Sequence, residues 1–143
     1  MGLRRLAAVA AVAGAAGAAW LLPLDAGAGG RPLTAELTGA AERPGPGDPD
    51  GSGFARVTLN QGREEVCVRF TVEGISTIVG AHIHKAPVTD PGPIVVPLPN
   101  DGEGCVTADA SLIKDIRQNP QDYYLNVHST EFRPGAIRGQ LSK

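Results

Sequence analysis

Residues Tyr123–Leu141, YYLNVHSTEFRPGAIRGQL, constrain the fold more than any other stretch of this chain. In an extended segment successive side chains point to opposite sides. Tyr123, Leu125 and Val127 then share one face, and Tyr124, Asn126 and His128 share the other. After a turn at Arg133-Pro134-Gly135, Ile137 and Leu141 point inward and Arg138 and Gln140 point outward. One predicted hairpin therefore supplies half of a core. It also supplies a polar row holding an imidazole, an amide and a guanidinium. The short segment Ala81-His82-Ile83-His84 repeats the pattern, with Ala81 and Ile83 toward the core and both histidines on the opposite side. These two segments carry the only histidines of the chain.

The same alternation recurs along the sequence. Leu33–Ala40, Phe54–Asn60 and Glu64–Glu73 read as strands, the last with Val66, Val68, Phe70 and Val72 on one side. Gln61-Gly62-Arg63 joins two of them as a hairpin-type connection. Pro93–Leu98 and Cys105–Ala108 add two shorter strands. Glu42–Ser52, ERPGPGDPDGS, is a loop, because proline fixes φ and glycine admits positive φ. Asp109 is placed to cap a short helix over Ala110–Gln118, whose stripe is Leu112, Ile113 and Ile116 and whose end is set by Asn119-Pro120. About eight strands with turn signals between them predict an all-β, antiparallel sandwich or barrel with one short helix.

The first residues differ from the rest. Arg4 and Arg5 precede a chargeless, alanine-rich run from Leu6 to Leu22, and Ala26-Gly27-Ala28 offers a small-residue cleavage site. This is the pattern of a secretory signal peptide over residues 1–28, followed by a leader at 29–32 and one domain at 33–143. The alternative is a retained N-terminal anchor. Cleavage would leave no stable membrane span and would place the domain outside the cytoplasm, secreted or at the cell surface. Two cysteines, Cys67 and Cys105, fit that destination. An even count in an exported chain favours one disulfide. Both lie in predicted strands and face away from the apolar row. The bridge would contribute on the order of 3–4 kcal/mol in the chain-entropy view.

A net charge of -2 without a basic block argues against nucleic acid as a partner. The scarcity of aromatics argues against a stacking platform for bases or sugars. Ser129 adjoins His128, but adjacent strand residues point apart, so they make no nucleophile–base pair. No nucleophile elbow and no phosphate-binding glycine loop is present. Asp48 and Asp50 lack the spacing of a calcium loop.

Several segments together carry a family resemblance. They are AHIH (Ala81–His84), GPIVVPL (Gly92–Leu98), the run from Asn119 to His128, and PGAIRGQL (Pro134–Leu141), with LTAELTGAAERP and GFARVTLN near the start. The set resembles the chordin-type CHRD domain of chordin and of many bacterial exported proteins. The resemblance spans about Leu33 to Leu141. It implies an immunoglobulin-like β-sandwich or barrel, and the cysteines resemble those of bacterial members with one Cys in the third strand and one before the helix. On activity it implies little. In chordin such domains belong to an extracellular growth-factor antagonist, and here the extracellular ligand or protein partner stays unspecified.

Two functional readings stay open. In the first, the domain is a non-catalytic extracellular binding or structural module. His82, His84 and His128 then join Asn126, Arg138 and Gln140 in a polar layer of satisfied hydrogen bonds. In the second, the three histidines bind copper or zinc, since residues two apart on a strand lie about 6.5–7 Å apart and face the same way. Three neutral imidazoles suit either metal. The His-x-His strand also resembles the copper-binding strand of Cu/Zn superoxide dismutases, but three histidines cannot build both sites of those enzymes. Only a reduced, copper-only form of that redox activity is compatible. Arg138 either draws an anion toward the histidine face or pairs with Glu131, Asp122 or a loop carboxylate. Glu131 is either an extra ligand or base, or a solvated turn residue.

Overall fold

A computed structural model describes residues 32–143. The predicted signal peptide and nearly all of the leader lie outside the described residues. Eight antiparallel strands form one sheet that curls into a nearly closed barrel. In chain order they are β1 (Leu33–Thr38), β2 (Ser52–Asn60), β3 (Glu65–Glu73), β4 (Ile78–Lys85), β5 (Ile94–Pro97) and β6 (Glu103–Thr107), then helix α1 (Ala110–Gln118), β7 (Tyr123–Ser129) and β8 (Ile137–Gln140). The order across the sheet is β5-β4-β7-β8-β1-β2-β3-β6.

Alternation builds the core as expected. Leu33, Ala35 and Leu37 of β1, Ala55, Val57 and Leu59 of β2, and Val66, Val68 and Phe70 of β3 are all buried. Ala81 and Ile83 of β4 meet Leu125 and Val127 of β7 in the same interior. Each such side chain contributes roughly 1.5–3 kcal/mol by leaving water. Ile113 and Ile116, at helical spacing, close one end of the barrel. The helix starts where the sequence places it, because the Asp109 carboxylate accepts from the backbone N–H of Ser111. Asp115 then pins it to the sheet. That carboxylate accepts from Lys85 Nζ at 2.7 Å, Tyr123 Oη at 2.5 Å and Asn119 Nδ2 at 2.8 Å.

Some boundaries move. The opening strand stops at Thr38, because Gly39–Ala41 turn into a short 3-10 segment. The histidine strand begins earlier than expected, at Ile78. Cys67 and Cys105 lie directly opposite each other on β3 and β6 and form a disulfide. The bridge ties the edge strand β6 to its neighbour. The chain ends meet as well: Thr38 of β1 pairs with Arg138 of β8, and Thr34 bridges to Ser142. Among the described residues, no helix is long and apolar enough to cross a membrane.

A candidate three-histidine metal centre

Strands β4 and β7 are hydrogen-bonded neighbours, and their register decides the site. Gly80 faces His128, His82 faces Asn126, and His84 faces Tyr124. All six residues lie on the outer face of the two strands, so the expected polar row exists as a surface of the sheet. No histidine lies directly opposite another. His128 reaches the pair because its partner across the ladder is glycine. A Cβ on Gly80 would come within 3.2 Å of His82 Cε1 and 3.4 Å of His128 Cδ2. The missing side chain is the room the rings use. The ring centres are 5.0 Å apart for His82 and His128, 5.6 Å for His82 and His84, and 6.4 Å for His84 and His128. One nitrogen from each ring falls within 4.8 Å of the other two.

Backbone carbonyls fix which nitrogens are available. His128 Nδ1 lies 2.7 Å from the carbonyl of Arg133, and His84 Nδ1 lies 2.9 Å from the carbonyl of Gly92. A carbonyl only accepts, so both Nδ1 atoms carry a proton, leaving Nε2 as the nitrogen each ring could offer an ion. His128 Nε2 is 3.2 Å from His82 Nδ1. His84 Nε2 is buried and has no hydrogen-bond partner. Burial pushes the His84 imidazole below its ordinary range; the hydrogen bond to the Gly92 carbonyl opposes this in part, and His128 and Arg138 lower it further. Burial, then His128 and His84, lower His82 likewise. Both rings therefore favour the neutral form at neutral pH, and the contact between His82 Nδ1 and His128 Nε2 would have to open for an ion to use both nitrogens.

The rest of the row holds the loop at residues 86–92. Tyr124 stacks on His84 with ring centres 4.7 Å apart and planes 7° from parallel. Arg138, on the neighbouring strand, places its Cζ 3.4 Å over the Tyr124 ring. Its guanidinium donates to the carbonyls of Asp90 and Pro87, each at 2.8 Å, while Gln140 Nε2 donates to the carbonyl of Ala86 at 2.8 Å. The Gly92 N–H donates to Tyr124 Oη at 3.1 Å.

Three expectations for this row need correction. Arg138 is not outward in the sense of solvated: it is 1% exposed, because the loop covers it. It forms no ion pair with Glu131 or Asp122; loop carbonyls accept from its guanidinium, and the loop carboxyls of Glu42 and Asp90 act on its charge. Asn126 belongs to no histidine layer; its amide donates to the buried carboxyl of Glu42. Glu131 is exposed, in line with its reading as a solvated turn residue, and lines a cleft of about 320 Å³ with Glu42, Phe132 and Pro134. The sequence reading missed Gly80, Gly92, Tyr124 as a stacking partner and Glu42. Gly80 was the findable one, since it sits two positions before His82 on the same strand face.

The comparison with protein families bears on the whole barrel: the CHRD domain model matches residues 33–141. The chain belongs to the CHRD domain family. Comparison with curated proteins and with solved structures returns no match. Within this CHRD domain the three rings fit a copper or zinc ion on chemical grounds. The donors are imidazoles, and burial favours the neutral form at His82 and His84. The ring nitrogens turned away from the site at His84 and His128 are held by carbonyls, as metal-bound histidines usually are. A buried lone pair without a partner costs about 1–3 kcal/mol, which a bound cation would recover.

Proposed function

We propose that this CHRD domain is an exported metal-binding module that holds one copper or zinc ion with His82, His84 and His128. The observation that carries the reading is His84 Nε2, a buried lone pair with no partner, in a ring whose other nitrogen is anchored to Gly92. Native structures satisfy buried polar atoms almost without exception, so such an atom calls for a ligand. The convergence of all three rings within one ion's reach supports the same reading. Copper or zinc would supply a Lewis-acid centre, and copper would add one-electron exchange. The chain's own part is to keep the rings neutral, orient them through two carbonyls and shield one side with Tyr124. Export is supported by the signal-peptide pattern of residues 1–28 and by the disulfide, which persists in oxidising compartments.

The test is metal analysis of untagged protein recovered from outside the cytoplasm, beside His84→Ala. Near-stoichiometric copper or zinc in the wild type, lost in the variant, is the expected result. A metal-free wild type that also fails to take up added copper or zinc would end the proposal.

A second reading rests on a separate observation. His84, Tyr124, Arg138 and Gln140 together clamp the loop at 86–92, so the row also stiffens a surface suited to an extracellular partner. If this is the whole role, His84→Ala lowers stability and no metal binds to either protein.

A further inference from the structure

We propose that the three-histidine centre selects monovalent copper over divalent copper and zinc, with the buried charge of Arg138 helping to set the preference. This rests on the metal site proposed above. Two observations about charge carry it.

The first is the donor set. It consists of three imidazoles, and among the described residues no carboxylate oxygen joins the cluster. The ligands therefore cancel none of the ion's charge. The cost of placing an ion in a poorly solvated site grows with the square of that charge, so a divalent ion loses about four times what a monovalent one does. His84 is buried, and the other two rings are partly exposed, so this cost applies on the His84 side.

The second is Arg138. Its guanidinium sits one aromatic ring behind His84, with Tyr124 between them. Arginine stays protonated at any ordinary pH. Its hydrogen bonds go to neutral oxygens: the carbonyls of Asp90 and Pro87 and the amide oxygen of Gln140. Two acids act on it, Glu42 and Asp90; Glu42 is itself pushed up to about 7, chiefly by burial, and so brings only part of a negative charge at neutral pH. A fixed cation behind the site repels a divalent ion twice as strongly as a monovalent one.

The experiment uses the exported, untagged protein freed of metal. Monovalent copper is titrated anaerobically against bicinchoninate, and divalent copper and zinc against their own chromophoric chelators at the same pH. The expected dissociation constant for monovalent copper is at least about 100-fold below both others. Equal or tighter His84-dependent binding of zinc or divalent copper would overturn this inference and leave the metal-site reading standing. No binding of any of the three metals would remove both. Arg138→Gln should narrow the preference for monovalent over divalent copper about tenfold, while Arg138→Lys, which keeps the charge, should preserve it. An unchanged ratio in a folded Arg138→Gln protein would overturn the role given to that charge. The wild-type comparison needs no variant, so a misfolded Arg138→Gln leaves the main result readable.

Discussion

Gly80 shows how one residue can govern chemistry carried by others. Its Cα faces His128 across the ladder, and the missing Cβ is the space between two imidazoles. Gly80→Ala adds a methyl group at 3.2 Å from His82 and 3.4 Å from His128. Gly80 follows a ladder irregularity after Ile78 but is not in the left-handed region, so stability should change by no more than about 1 kcal/mol. Metal affinity should fall at least about tenfold, because displaced rings no longer share a centre. Isothermal titration beside a urea melt separates the two effects. Glu42 offers a second test, through pH. Its carboxyl stands near 7 in the folded chain against an ordinary 4.5. Below about 4.5 both states hold the proton. Between there and about 7 the unfolded chain releases it while the folded chain keeps it, so this residue's contribution to stability falls as pH rises. His82 and His84, lowered from 6.5, act in the opposite sense: the unfolded chain protonates first on acidification, so their contribution rises with pH through that value. Glu42→Gln keeps the shape and an oxygen for Asn126 but removes one limb. Its urea midpoint should gain on the wild type steadily from about pH 5 to about pH 7.5. A constant difference across that range would mean that the Glu42 carboxyl is not raised in the folded chain.

Among the elements, the two that matter most are held from opposite edges of the sheet. Strand β6 hangs on β3 through the Cys67–Cys105 bridge and one exposed ion pair between Arg69 and Glu103, which is worth little. Replacing both cysteines with alanine should cost on the order of 3 kcal/mol, read from chemical unfolding. Metal uptake by the folded fraction should be unchanged, because β4 and β7 lie away from that edge in the strand order. Helix α1 is fastened differently, by the Asp115 carboxylate shared among Lys85, Tyr123 and Asn119. Those partners hold Asp115 well below the usual carboxylate range. Asp115→Ala should therefore lower the thermal midpoint and leave Tyr123 Oη without its acceptor. Near-ultraviolet circular dichroism of the tyrosine would register the change.

For the molecule as a whole, closure depends on the chain's last residues. Leu141 is 1% exposed, its N–H donates to the carbonyl of Tyr123 on β7, and the next residue, Ser142, exchanges backbone hydrogen bonds with Thr34 of β1, so this segment joins β7 to β1. Leu141→Ala should cost about 2–5 kcal/mol, as large-to-small core changes do. Because β8 carries Arg138, the same change should loosen the loop at 86–92 and quicken amide exchange there. Amide exchange in that loop as slow as in the wild type would show that the clamp is independent of barrel closure.

By itself the sequence determined which residues face inward, because a period of two leaves each strand only two ways to point. Val66, Val68 and Phe70, Ala81 and Ile83, and Leu125 and Val127 were all legible from that rule. So were the cap at Asp109 and the pairing of the cysteines. The shared face of His82 and His84 was legible too, since both lie on one strand. What the tertiary structure alone decided was strand order and register. Only the pairing of β4 with β7, with Gly80 opposite His128, brings the third ring to the other two. Only the fold of the loop at 86–92 over the row buries Arg138 and gives its guanidinium the carbonyls of Pro87 and Asp90 as acceptors. Alternation is a local property of the chain, whereas contacts between residues 82 and 128 depend on the free energy of the whole sheet.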